Sequence, residues 1–224
     1  MNGVNVKNIN IYLIRHGRQE SSLCNVNAPL SKEGKKQSQL CGKRLKNFNI
    51  DRLYSSKLVR AMQTAEIINR YIKVPYEAYK ELDEIDFGEL TGLTDQEIKN
   101  RFSDFSEERK KRTSDLRFPK GENGEDVYKR VYPVLMKIIS DAERNQDANI
   151  AIVTHGGVIR SIMAGILGTG FEKKLVFAKD LENTSITKLS FLLEDKMFYI
   201  ETLNDYCHIE KKQELLRKSF KRSI

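Results

Sequence analysis

The chain of 224 residues has no tryptophan, four prolines and three cysteines. Cys24, Cys41 and Cys207 are odd in number and form no CxxC. Neither a disulfide framework nor a cysteine zinc site is therefore expected, and a cytoplasmic location fits. No apolar run approaches the roughly 18 residues of a membrane span. The polar start, MNGVNVKNIN, offers no apolar core for a signal peptide. HExxH, HxH and GxxxxGK[ST] are all missing, which excludes the common zinc-hydrolase helix and the P-loop. Histidine is scarce too, at three residues.

Those histidines are not scattered. In IYLIRHG (residues 11–17) and IAIVTHG (residues 150–156) an apolar, β-branched run ends on His-Gly. Two of the three histidines thus close two matching segments. An apolar fraction of 39% and a charged fraction of 31% suit a globular chain able to bury one core. The net charge is +8. Half of it lies in residues 208–224, where Lys211, Lys212, Arg217, Lys218, Lys221 and Arg222 face Glu210 and Glu214. A basic tail can bind nucleic acid or anionic membrane. Here Ile209, Leu216, Phe220 and Ile224 fall near one helical stripe, so a terminal helix is the better reading. No interleaving of basic and aromatic residues marks a nucleic-acid module elsewhere.

The apolar runs predict buried strands over 9–14 and 150–153, and RLYSS and YEAYKEL predict shorter ones. Ser31 is placed to cap a helix running to about residue 48. A second helix is expected from 57 to 72, capped by Ser55 or Ser56, with Lys57 and Arg60 in its first turn. A third spans 122–144 with Pro133 inside it, a position that kinks helices. GGVIRSIMAGIL begins a fourth, and two late strands alternate over 185–203. Residues 94–120, with EERKKR among them, form a hydrophilic helical excursion from a single domain of residues 1–208; residues 209–224 are the basic tail or helix. Strands alternating with helices imply an α/β fold, a mostly parallel sheet with helices on both faces in three layers. In such sheets ligands bind at the carboxyl ends of the strands, where both His-Gly pairs lie. Two distant sites in the chain can therefore meet in one pocket.

A histidine directly after a buried strand is held rigidly, as a nucleophile or base requires. Gly156-Gly157 leads into a helix N-terminus, whose free N–H groups favour an anion. Arg15 adds a charge with bidentate geometry for phosphate. Arg60, at the positive end of its own helix, is disfavoured by roughly 0.3–1 kcal/mol unless it faces an anion there. ELDEIDFGEL (residues 81–90) supplies carboxyls for a general acid, and Asp83, Glu84, Asp86 and Glu89 all qualify.

Together LIRHG (13–17), PLSKEGKKQ (29–37), YSSKLVRAMQTA (54–65), LDEIDFGELTG (82–92), PKGEN (119–123) and IVTHGGVIR (152–160) resemble the histidine phosphatase superfamily, the phosphoglycerate-mutase-like proteins. The motifs run in the family's order across roughly residues 9–204. The resemblance implies a phosphoglycerate-mutase-like fold and a phosphohistidine intermediate on His16. It implies that Arg15, Arg60, His155 and the Gly156 N–H bind the phosphoryl group. It selects Glu84 as the general acid and base, and makes His16 neutral and His155 cationic. Ser22 stands where the family carries asparagine, with Asn25 nearby, and GEN replaces the usual GES.

The family contains both mutases and phosphatases. Its mutases carry a tryptophan-containing stretch after RHG and an Arg-Arg, proline-rich excursion. This chain has no tryptophan, and only Pro119 in its excursion. The expectation is therefore a phosphatase for small phosphate monoesters, with no metal and no cofactor. A cofactor-dependent phosphoglycerate mutase is the alternative, and a non-catalytic phosphate-binding or tail-mediated interaction protein the second. The excursion, with Lys99, Arg101 and residues 109–112, is expected to cover the pocket. The expected partner is a small phosphorylated substrate, with a homodimer left open and neither nucleic acid nor membrane anticipated.

Overall fold

Side chains alternate across the first strand, and each face finds its own core. Ile9, Ile11 and Leu13 join one apolar cluster, whereas Tyr12 and Ile14 join another on the opposite face. A strand buried on both sides must lie in the middle layer. In a computed structural model, which describes residues 7–219, this strand is β1 (Asn8–Arg15). It is followed by α1 (Lys32–Leu45), β2 (Arg52–Ser56), α2 (Val59–Ile72), β3 (Tyr76–Tyr79), α3 (Asp95–Arg101), α4 (Ser103–Lys111) and α5 (Gly124–Asn145). Then come β4 (Asn149–Thr154), α6 (Gly156–Leu167), β5 (Ile186–Leu192) and β6 (Met197–Asp205).

The strands order as β3-β2-β4-β1-β5-β6. The pairs β3-β2, β2-β4 and β4-β1 are parallel, and β5 and β6 add an antiparallel edge. Helices α5 and α6 cover one face through Val131, Leu135, Ile138, Val158 and Ile162. Helices α1 and α2 cover the other through Cys41, Leu45, Ala61, Ala65 and Ile68. This is the three-layer α/β fold that the alternation implied. Burial of each large aliphatic side chain here stabilises by roughly 1.5–3 kcal/mol.

Local chemistry sets the helix ends. Ser31 caps α1, its hydroxyl accepting from Gly34 N–H. Asn123 and Asp126 form a reciprocal capping box, so α5 starts at Gly124 rather than at 122. The helix continues through Pro133. Pro133 and Lys129, whose carbonyl loses its helical partner there, are both exposed to water.

Two expectations are corrected. Ser55 and Ser56 do not cap α2; they are buried at the end of β2, and their hydroxyls bond Tyr76 and His155. Helix α2 starts at Val59, whose N–H is capped by Asn27 Oδ1, and Lys57 precedes it. After β6 the chain forms short 3-10 turns at Gln213–Leu215 and Arg217–Ser219 instead of a regular terminal helix. Tertiary partners replace the helical ones: Gln37 Nε2 donates to Leu215 O, and Arg217 N–H donates to Glu182. Ile209, Leu215 and Leu216 are buried beside Leu40 and Tyr206. Phe220 and Ile224, the rest of the expected stripe, lie outside the described residues. Among the described residues no helix is long and apolar enough to cross a membrane.

Candidate active site

Strands β1 and β4 lie side by side with Arg15 opposite Thr154. The next residue of each strand is a histidine. His16 N–H donates to Thr154 O at 2.9 Å, which extends the ladder by one rung. The two imidazole rings stand 5.0 Å apart, tilted by 51°. Thus 138 residues of intervening chain close onto one point. Nothing but the sheet register is needed to do it.

His16 is 5% exposed. Its Nδ1 is 2.6 Å from Gly17 O. A carbonyl only accepts, so Nδ1 carries the hydrogen and Nε2 presents a bare lone pair. Burial, Arg60 and Arg15 hold the His16 pKa well below the usual histidine value. The ring is therefore neutral at pH 7, the state a nucleophilic role would require. The His16 backbone is fixed on its other side, where Asn183 Nδ2 donates to His16 O at 2.9 Å.

His155 is fully buried next to His16, and the cavity is not lined by it or by Gly156. Its Nε2 lies 2.6 Å from Ser56 Oγ, and Ser56 also bonds the Asp83 carboxylate. The cationic state expected for His155 is not what its surroundings favour. Burial lowers its pKa well below the usual value, with further lowering from His16, Arg60 and Arg15. Four positive or potentially positive groups in one buried cluster suppress one another's protonation.

The cavity, of about 400 Å³, is lined by Arg15, His16, Ser22, Asn25, Arg60 and Glu84 among others. Arg15 is pinned by its guanidinium bond to Leu181 O. Arg60, buried in the first turn of α2, donates to Val26 O and Asn25 Oδ1, each at 3.1 Å. Asn25 in turn donates to Ile85 O at 3.1 Å and so ties Arg60 to the loop that carries Glu84. Ser22 is exposed on the cavity wall. Among the described residues, Arg15 Nε, Arg60 Nε and His155 Nδ1 are buried with no hydrogen-bond partner. Each such orphan costs about 1–3 kcal/mol. An anion accepting from the arginines would repay that penalty.

The four acidic candidates separate clearly. Asp83 accepts from Lys57 N–H, Asp86 from Gly88 N–H, and Glu89 pairs with Lys120. Glu84 alone of the four lines the cavity beside His16. Its Oε1 accepts Gly157 N–H and Ile85 N–H, each at 3.0 Å. A Cβ at Gly157 would come 2.5 Å from Glu84 Oε1, so glycine there admits the carboxyl to the N-terminus of α6. A Cβ at Gly156 would instead meet Arg15 Nε and Arg160 at 3.6 Å.

Several contributors escaped the sequence reading. Thr64 accepts Gly17 N–H and donates to Arg60 O, linking the loop after His16 to the α2 arginine. Its signal was the QTA within YSSKLVRAMQTA. Gln37 accepts Arg18 N–H, and PLSKEGKKQ contained it. Asn183 and Arg217 carried no signal at all. From the excursion, Thr94 and Asp95 reach the cavity wall, whereas Lys110 and Lys111 pair with Glu107 and Glu108 at the surface. Among the described residues no group of three or more His, Cys, Asp or Glu converges as metal ligands do.

The model of the histidine phosphatase superfamily (branch 1) matches residues 11–206. Over 162 residues the chain is 33% identical to 6-phosphofructo-2-kinase/fructose-2,6-bisphosphatase of Aquarana catesbeiana, which is 70% of this chain and 32% of that one. An isoform from Rattus norvegicus, 6-phosphofructo-2-kinase/fructose-2,6-bisphosphatase 4, is 31% identical over 169 residues, 73% of this chain and 34% of its own. The matched stretch spans about a third of the length of these relatives. Among solved structures, YhfR of Bacillus stearothermophilus superposes with a TM-score of 0.77 at 27% identity, covering 90% of this chain and 100% of its own. A mycobacterial glucosyl-3-phosphoglycerate phosphatase gives 0.78 at 22% identity, over 88% and 99%, a likeness of fold.

Proposed function

The chain belongs to the histidine phosphatase superfamily, and on that premise we propose that it hydrolyses small phosphate monoesters, without a metal, through a phosphohistidine on His16. The observation that carries this reading is the bond from His16 Nδ1 to Gly17 O, which leaves Nε2 bare in a field that keeps the ring neutral. His16 Nε2 attacks phosphorus as the ester P–O bond breaks, and the leaving oxygen takes the proton of the Glu84 carboxyl. Water then attacks the phosphohistidine and gives its proton to Glu84 as the P–N bond breaks. Inorganic phosphate departs, and the enzyme is restored.

Arg15 and Arg60 bind the phosphoryl oxygens, and the N-terminus of α6 at Gly156 adds a favourable dipole. His155 lies behind the cavity wall, and in this reading its Nδ1, the nitrogen without a protein partner, reaches the same group only when the ligand is bound. The negative charge of the phosphoryl group offsets the mutual repulsion that depresses this histidine. Ser22 and Asn25 flank the bound group, Asn25 by holding Arg60 in place. Hydrolysis rather than isomerisation is supported by the curated relatives at 31–33% identity, which are named as bisphosphatases. A cytoplasmic site of action fits the unpaired cysteines.

The test is hydrolysis of an aryl phosphate in the presence of a chelator, by wild type and by His16→Ala. Turnover by wild type, reduced at least about 10⁴-fold in the variant, is the expected result. Equal rates in the two proteins, or rescue of chelated enzyme only by added metal, would overturn the reading.

A further inference from the structure

The basic tail reaches the pocket at Arg217. Arg217 lines the same cavity as Arg15, His16, Arg60 and Glu84. It lies beyond residue 206, where the match to the family model stops. The placement is built. Leu215 and Leu216, just before it, are 1% and 4% exposed. Gln37 accepts Arg18 N–H at 2.8 Å and donates to Leu215 O at 2.7 Å, which locks the tail to the loop following His16. Arg217 N–H donates to Glu182 Oε2 at 2.9 Å. The neighbouring Leu181, Asn183 and Thr184 bond Arg15, His16 and Arg15 respectively. The tail therefore closes a ring of contacts around the nucleophile. One segment, residues 180–184, thus holds both the tail at Arg217 and the strand end at Arg15 and His16.

The phosphoryl group already has Arg15, Arg60 and the α6 N-terminus. Arg217 adds a further guanidinium, a quarter of its side chain exposed and 3.7 Å from the Asp180 carboxylate. It stands close enough to Arg15 and His16 to depress the pKa of both. Gathering like charges in one cavity is unfavourable unless an anionic ligand spreads across them. The cavity is also larger than a phosphoryl group requires, with Arg18, Gln19 and Ser21 continuing the wall.

We propose that Arg217 is a substrate-binding residue, and that it selects phosphate monoesters bearing a second anionic group, a carboxylate or another phosphate. The selection rests on the phosphatase reading for its consequence, but the binding does not. Calorimetric titration of the full chain and of Arg217→Gln with inorganic phosphate, 3-phosphoglycerate and a sugar bisphosphate tests it. The variant should lose affinity for at least one of the two doubly anionic probes by tenfold or more beyond any loss for phosphate. Which probe suffers more identifies carboxylate or phosphate as the second group. Arg217→Lys should restore part of the loss. Equal losses for all three probes, or none, would overturn the proposal. If wild type turns over no phosphate ester while the affinity difference persists, the phosphatase reading fails and the role of Arg217 stands. If wild type hydrolyses aryl phosphate while the affinity difference is missing, the reverse holds.

Discussion

The two walls of the pocket are built by different means. Arg15, His16 and His155 extend the two central parallel strands, each neighbour fixed by ladder hydrogen bonds and by apolar layers on both faces. Ser22, Asn25 and Glu84 stand on loops, and Arg217 on the tail. There each position depends on a few side-chain tethers, such as Asn25 to Ile85 and Arg130 to Glu84 O. The attack on phosphorus proposed for His16 would need a group held to a fraction of an ångström, and a sheet supplies that rigidity. Groups that meet the variable part of a substrate profit from loops, which change without disturbing the core.

Substitutions can break this contrast or sharpen it. After His16→Ala, the largest effect is expected for Glu84→Gln, a loop residue with a proposed chemical role. Its loss should reach 10²–10⁴-fold on an alkyl phosphate and much less on an aryl phosphate with a good leaving group. An equal loss on both would remove it as the general acid. Arg60→Ala should lose about 3 kcal/mol of transition-state stabilisation, roughly a hundredfold in kcat/KM. A change below about twofold would show that the orphaned Arg60 Nε serves no phosphoryl oxygen.

Asn25→Ala should lose about tenfold, because Arg60 keeps Val26 O but loses its Asn25 partner. The double variant with Arg60→Ala should be no worse than Arg60→Ala by more than a factor of two or three, since the two act through one network. Additive losses would mean that Asn25 works instead through the Glu84 loop.

The smallest effect concerns protonation. His16 and His155 have lowered pKa values, so both neutral forms persist as pH falls past 6.5. Imidazole nitrogen resonances of the full-length protein should not move between pH 7.5 and 6.5, and an imidazolium signal in that window would contradict the geometry. His208, buried near Arg44, is likewise pushed down, to about 4. The unfolded chain therefore binds protons first below about pH 6.5. Melting temperature should fall as pH drops through that range.

What was legible in the sequence follows the same divide. The strand-end residues could be read directly, because an apolar run that stops on His-Gly signals a buried strand and a close turn together. Arg60 was visible as a cation at the wrong end of a helix. The choice among Asp83, Glu84, Asp86 and Glu89 could not be read from their loop. All four have the same chemistry, and only the distant Gly157 and Lys120 and the neighbouring backbone sort them. Ser55 and Ser56 misled because serine caps helices and also ends strands. Burial against Tyr76 and His155 decided for the strand. The tail misled for a related reason: helical periodicity says nothing about whether Gln37 and Glu182 will claim its backbone groups first.

The sequence alone determined the α/β class, the three layers and the meeting of two histidines. Those follow from local periodicity and from the rule that places strand ends together. Tertiary structure decided which nitrogen of His16 is bare, which carboxyl faces it, and that an arginine from the last residues of the chain joins the same cavity. Such facts depend on contacts between segments far apart in sequence, and neither residue type nor spacing encodes their distance.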